Sequence, residues 1–288
     1  MIADYRRLVV DGHETAYLDT GSGEPVVLLH GGEFGADAAL GWEYTVDVLA
    51  HSHRVIAPDM LGYGRSAKVV DFTDGRGLRI RHVAALLAVL GVDSAHFVGN
   101  SMGAINLLVD QTAARPRLRA RSLVAICGGG EILRNEHVDA LYDYDATTVG
   151  MRRIVAALFQ SRAYPADVDY VRRRHESSVA PGAWEALAAA RFRRPGADAP
   201  STPAADRDYH RIAAPTLFVE GAGDKLLPAG WADELAHRVP RGASAVVPDA
   251  GHCPQLEQPA VLNALLLDFL ARHADSAERV TDAPVVAR

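Results

Sequence analysis

The chain has 288 residues, of which 49% are hydrophobic and 23% charged, which suits a soluble globular protein with one large core and excludes a disordered or fibrous one. A formal net charge of -6 argues against a general nucleic-acid binder, because such binding needs concentrated positive charge to displace counterions. The two cysteines, Cys127 and Cys253, are too few for a disulfide framework and lack metal-ligand spacing. No apolar run reaches the roughly 18 to 20 residues of a membrane span, and the first residues lack a secretory apolar region, so the expectation is a cytoplasmic protein without a membrane partner.

In chain order, "YRRLVVDGHETAYLDTGSGEPVVLLHGG" alternates short β-prone runs with Asp-Gly and Gly-Ser-Gly turn signals, which predicts a hairpin followed by a buried strand at Val26 to Leu29. Short apolar runs then alternate with helical patterns: "HRVIAPD" as strand, Leu78 to Leu90 as helix, "AHFVG" as strand, Ala104 to Thr112 as helix, "SLVAICGGG" as strand. Such alternation predicts an α/β fold with a mostly parallel twisted sheet and helices on both faces.

After "CGGG" the rhythm stops, and residues 131–210 read as charged helical segments broken by "AYPAD", "VAPG" and "RRPGADAPSTPAAD", the pattern of an inserted helical cap whose loops shape an entrance. It resumes with "APTLFVEGAGD" as strand, Ala229 to Val239 as helix, "ASAVVPDAGH" as strand and Pro259 to Arg272 as helix. The expected organisation is a core of residues 1–130 and 211–274, the cap between them, and a frayed tail at 275–288.

The segment Gly99-Asn100-Ser101-Met102-Gly103 fits G-x-S-x-G between a strand and an apolar helix, the setting in which a strained turn exposes a serine hydroxyl. A serine is a poor nucleophile near neutral pH and needs an imidazole base, which in turn needs a carboxylate to fix its tautomer and stabilise its cation. Among twelve histidines, His252 in "PDAGHCPQLEQP" follows a strand and a glycine and leads into a Pro-bounded loop; Asp224 in "LFVEGAGDKLLP" follows the preceding strand. Ser101, Asp224 and His252 are therefore the candidate catalytic residues. An oxyanion hole needs two N–H donors, for which Gly32 in "LLHGG" and Met102 are the candidates. His30 reads as a residue that holds this loop.

With these pieces in order, the sequence resembles the α/β-hydrolase superfamily over residues 15–273, on "LLHGG", "PDMLGYGRS", "GNSMGA", "GAGDKLLP" and "AGHCPQLEQP". Within it the chain looks like the carbon–carbon hydrolases of meta-cleavage products from aromatic catabolism, on G-N-S-M-G at Gly99 to Gly103 and G-H-x-P-Q-x-E at Gly251 to Glu257. The resemblance implies a small acidic or ketonic substrate, a dienol bearing a carboxylate and a ketone. It implies no cofactor or metal, and homodimers are common among relatives. It also implies a cap arginine that grips the carboxylate, for which Arg174 in "YVRRRHE" is the match, since a guanidinium makes two parallel bonds to a carboxylate. Asn100 would donate to a substrate oxygen, and Gly31 in "LLHGG" would also border the substrate.

Two departures sit at the site, where many relatives carry a third glycine after H-G-G and a tryptophan after the histidine. This chain has Glu33 and Cys253. Glu33 would repel an anionic substrate unless protonated or paired with an arginine; Cys253 would line a pocket with room that an indole would fill. The same apparatus serves ester, lactone or thioester hydrolysis, and a pocket without chemistry would make a ligand-binding protein.

Overall fold

The structure is a computed structural model that describes residues 5–189 and 204–274. The expected tail, and most of the entrance loop between residues 191 and 210, lie outside them.

Eight strands form one sheet: β1 (Arg6–Val10), β2 (His13–Thr20), β3 (Pro25–Leu29), β4 (Arg54–Pro58), β5 (Ala95–Asn100), β6 (Ala120–Ile126), β7 (Thr216–Gly221) and β8 (Gly242–Val247), in the order β1-β2-β4-β3-β5-β6-β7-β8. The first two are a hairpin closed by Asp11 and Gly12, both at positive φ (48° and 80°), as the two-residue turn that matches strand twist requires. β2 also runs antiparallel to β4, and every later pairing is parallel. The central strands are buried on both faces, which is why β3 reads as a continuous apolar run and the cores of β5 (Phe97, Val98) and β7 (Leu217 to Val219) do not alternate.

Helices cross between the strands with caps written in the sequence. Asp74 accepts from Gly77 N–H at 3.0 Å and starts the helix Gly75–Val89; Asp167 accepts from the N–H groups of Asp169 and Tyr170 and starts Val168–Ser178. Between β6 and β7 the described chain is helical, with Glu136–Tyr142, Thr148–Leu158, Val168–Ser178 and Ala183–Ala189 as its longer pieces. Among the described residues no helix is long and apolar enough to cross a membrane.

Register decides what meets at the carboxyl edge of the sheet. Leu29 at the end of β3 lies opposite Gly99 near the end of β5, Asn100 opposite Ile126 of β6, and Gly221 of β7 opposite Val247 of β8. The loops that leave these strand ends therefore converge, as ligand sites of open α/β sheets do. They carry His30 to Glu33, Ser101, Asp224 and His252.

The segment "PDMLGYGRS" supports this edge from below. Asp59 accepts from Ala38 N–H (2.8 Å), Arg65 N–H (2.7 Å) and the Tyr5 hydroxyl (2.8 Å), and Ser66 Oγ donates to its carbonyl (2.6 Å). Burial pushes the Asp59 carboxyl up, and these hydrogen bonds work against that push.

Candidate active site

Ser101 sits where β5 ends and the helix Met102–Thr112 begins, at φ 51° and ψ -116°. A non-glycine residue adopts that conformation only when its surroundings force it. The force is close packing on both sides. A Cβ at Gly99 would lie 2.4 Å from Ala104 N, and one at Gly103 would lie 2.2 Å from the Leu29 carbonyl oxygen. The flanking glycines let the helix seat directly on β3 and β5, and Ser101 N–H donates to Ile126 O at 2.8 Å.

His252 Nδ1 lies 2.8 Å from Asp224 Oδ2, with both side chains 2% exposed. Asp224 Oδ1 accepts from Leu226 N–H at 2.8 Å, which fixes the carboxylate plane. Burial opposes a charge on the imidazole, but the Asp224 charge and hydrogen bond, with Glu33 adding to them, raise its pKa above the ordinary histidine value. Burial would likewise raise the Asp224 carboxyl, and His252 overcomes it and holds that group low.

The histidine loop is fastened to its neighbours through its backbone. His252 N–H donates to Leu158 O (2.7 Å), and Glu257 accepts from Gly251 N–H (2.5 Å) and Ser161 N–H (2.7 Å). Asn100 Nδ2 donates to His252 O (3.0 Å) and Ile126 O (3.2 Å). Both of its N–H groups thereby reach carbonyls, and Asn100 ties the residue before Ser101 to the residue that carries the imidazole.

Gly32 lies against the Met102 side chain. A Cβ at Gly32 would fall 2.8 Å from both Cβ and Sδ of Met102, so only glycine lets the loop come this close. Met102 opens its helix, where N–H groups lack intrahelical partners and the dipole favours negative charge. Tyr63 Oη donates to Gly32 O at 3.0 Å. His30 is fully buried, with Nδ1 2.7 Å from Gly31 O and Nε2 accepting from Met60 N–H at 3.0 Å, so both ring nitrogens hold backbone as expected.

Arg174 departs from the expected arrangement. It is 1% exposed on the inner face of Val168–Ser178, and its Nη2 donates to Glu33 Oε1 at 2.6 Å. Nη1 donates to the Tyr170 hydroxyl at 3.2 Å and Nη2 also reaches Phe34 O at 3.4 Å. Burial alone would push the Glu33 carboxyl up, yet Arg174, with His252 contributing, holds it below the usual carboxylate range. The guanidinium expected to grip a substrate carboxylate thus already holds one supplied by the chain. Arg172 and Arg173 pair instead with Asp169 and Glu176, and with Glu43.

Glu33 also faces Gly31, where an added Cβ would lie 2.4 Å from its Oε2, and its charge bears on Cys253. The Cys253 thiol is 2% exposed and pushed well up by burial and by Glu33, so it stays protonated. Cys127, which the sequence marks only as lacking metal-ligand spacing, lies beside Asp224 and His252, their ligand atoms all within 4.8 Å. Its thiol is also pushed well up by burial and by Asp224, and a metal there would have to break the Asp224–His252 bond. Its position after β6 was the available signal.

Residues 26–265 match the family described as the alpha/beta hydrolase family. The chain belongs to the alpha/beta hydrolase family. This hydrolase is 31% identical over 276 residues to the 2-hydroxy-6-oxo-6-(2'-aminophenyl)hexa-2,4-dienoic acid hydrolase of Metapseudomonas resinovorans, covering 92% of this chain and 90% of that protein. It is also 31% identical to the 2-hydroxymuconate semialdehyde hydrolase of Pseudomonas sp. strain CF600, covering 94% of this chain and 95% of the relative. Among solved structures it resembles the meta-cleavage product hydrolase CumD of Pseudomonas fluorescens IP01, complexed with acetates, at a TM-score of 0.82 and 26% identity over 93% of this chain and 97% of that one.

Proposed function

We propose that this alpha/beta hydrolase cleaves a carbon–carbon bond in a carboxylate-bearing dienol ketone, by way of its vinylogous diketone, using Ser101, His252 and Asp224. The observation that carries the reading is the strained Ser101 turn tied through Asn100 to the loop on which the buried His252–Asp224 pair is mounted. The relatives named for such hydrolases, matched over almost their whole length, support it.

In this mechanism the enol proton moves to carbon, which turns the leaving fragment into a stabilised carbanion equivalent. His252 then takes the Ser101 proton as the hydroxyl attacks the ketone carbon, and Asp224 holds the resulting imidazolium. The Gly32 and Met102 N–H groups receive the charge that develops on the carbonyl oxygen. Collapse breaks the carbon–carbon bond, the departing carbon takes up the proton, and an acyl group remains on Ser101. Water, deprotonated by His252, releases the acid. No step calls on a cofactor.

The test is turnover of a chromogenic dienol keto acid beside a p-nitrophenyl ester. Wild type should consume the dienol, and Ser101→Ala should lose about a thousandfold or more in kcat. Strong preference for the ester would end the carbon–carbon reading and leave an ester hydrolase.

A further inference from the structure

The turn that carries Asp224 is fastened to the helical stretch between β6 and β7 on both sides of the carboxylate. On one side, a Cβ at Gly223 would lie 2.1 Å from Gln160 Oε1, so the backbone passes directly against that side chain. On the other, Asn135 Nδ2 donates to Lys225 O at 2.9 Å. Lys225 Nζ donates to Phe159 O at 2.7 Å and to Ala156 O at 2.8 Å, at the end of the helix Thr148–Leu158.

That helix end needs donors from elsewhere. The last carbonyls of a helix lack intrahelical partners, and a basic side chain in its last turn or a glycine after it commonly answers them. This helix has no basic residue in its last turn and runs into Phe159 in extended backbone, at φ -103° and ψ 141°. Donors reach it from two loops of the site: Lys225 Nζ to Ala156 O and Phe159 O, and His252 N–H to Leu158 O at 2.7 Å. The neighbour of Asp224 and the bearer of the imidazole therefore end on the same residues, 156–159.

Asp224 and His252 come from separate loops and meet through one 2.8 Å contact. Such a contact is only as well placed as the loops that present it. We propose that Lys225 is a positioning residue of this hydrolase, holding the Asp224 carboxylate against His252 by pinning its turn to the helix end that also receives the histidine loop. This role presupposes the catalytic reading of Ser101, His252 and Asp224 and is indifferent to which acyl bond they cleave.

The experiment compares wild type, Lys225→Met and Lys225→Arg as a function of pH, with the dienol keto acid and with the p-nitrophenyl ester. Lys225→Met should lose about tenfold or more in kcat with KM within about twofold, and Lys225→Arg, which keeps charge and donors, should recover most of it. The charges that bear on His252 are those of Asp224, foremost, and Glu33, with the Cys127 thiol beside them. Loosening Asp224 weakens the stronger raising influence, so the acid limb of kcat/KM should move to lower pH in Lys225→Met. Loss of a cation acting by charge alone would move that limb to higher pH, and this result overturns the role. So does wild-type kcat in Lys225→Met, or an equal loss in Lys225→Arg. The proton between His252 Nδ1 and Asp224, read in the far-downfield proton NMR spectrum, reports on the pair without turnover: its signal should fade in Lys225→Met and return in Lys225→Arg. If wild type turns over neither substrate, the catalytic reading fails and the NMR pattern decides the placement by Lys225. Lys225→Gln, which can still hold one carbonyl, takes the place of Lys225→Met if that variant does not fold.

Discussion

Glu33 and Arg174, 141 positions apart in the chain, meet at 2.6 Å with 9% and 2% of their side chains exposed. A buried pair of this kind repays its desolvation only while both members are present; losing one leaves a bare charge in the interior. Glu33→Ala is therefore expected to cost about 3–5 kcal/mol in a denaturant titration, and Glu33→Ala with Arg174→Met to recover much of it. If the double variant is no more stable than the single one, the pair does not carry the loss. Glu33 has its carboxyl depressed in the folded state, so its contribution is complete above the unfolded carboxyl pKa of about 4.3 and disappears as pH falls through the lower folded value.

In the proposed mechanism His252 works as a base only when neutral, and its pKa is raised by Asp224 and further by Glu33. The acid limb of kcat/KM should thus lie above the unperturbed histidine value of about 6.5. Glu33→Gln removes one raising charge, so the limb should move to lower pH. A limb that stays in place or moves upward contradicts the electrostatic role given to Glu33.

The φ of 51° at Ser101 is backbone strain carried for exposure of one hydroxyl. Ser101→Gly should abolish turnover and raise stability by about 1–2 kcal/mol, because glycine adopts this conformation without a Cβ clash. Thermal melting of Ser101→Gly beside Ser101→Ala separates the two effects: alanine should show no comparable gain.

Gly103 and Gly32 make different close approaches. The Cβ of Gly103→Ala would strike backbone, 2.2 Å from Leu29 O, whereas that of Gly32→Ala would strike the Met102 side chain at 2.8 Å. Gly103→Ala should lose about 3 kcal/mol or more of stability. Gly32→Ala should keep more of its stability and lose mainly kcat, as the paired N–H donors are pushed apart. Equal losses of stability would show that the contact at Gly32 is structural alone.

Much of this arrangement was readable along the chain because it is local. Asp11-Gly12 between alternating runs set the hairpin, and the last helix spans the expected Pro259–Arg272. The helix that follows Ser101 begins two residues ahead of the expected Ala104, at Met102, and Gly103 within it seats the helix against the Leu29 carbonyl at the end of β3. Asp224 and His252 were legible from their places after strands. The partner of Arg174 was not: its burial follows from sharing a helix face with Tyr170 and Ser178, but nothing local joins that face to a loop after β3. The same holds for Asn100, whose second bond reaches 152 residues ahead to His252 O.

The backbone amide of His252 ends on the carbonyl of Leu158, at the close of the second long helix between β6 and β7. β8, from which the histidine loop departs, has a single neighbour in the sheet. The insertion is therefore a splint for the imidazole. Grafting in a foreign insertion would need to reproduce that one carbonyl, or the imidazole would lose its footing at an edge of the sheet.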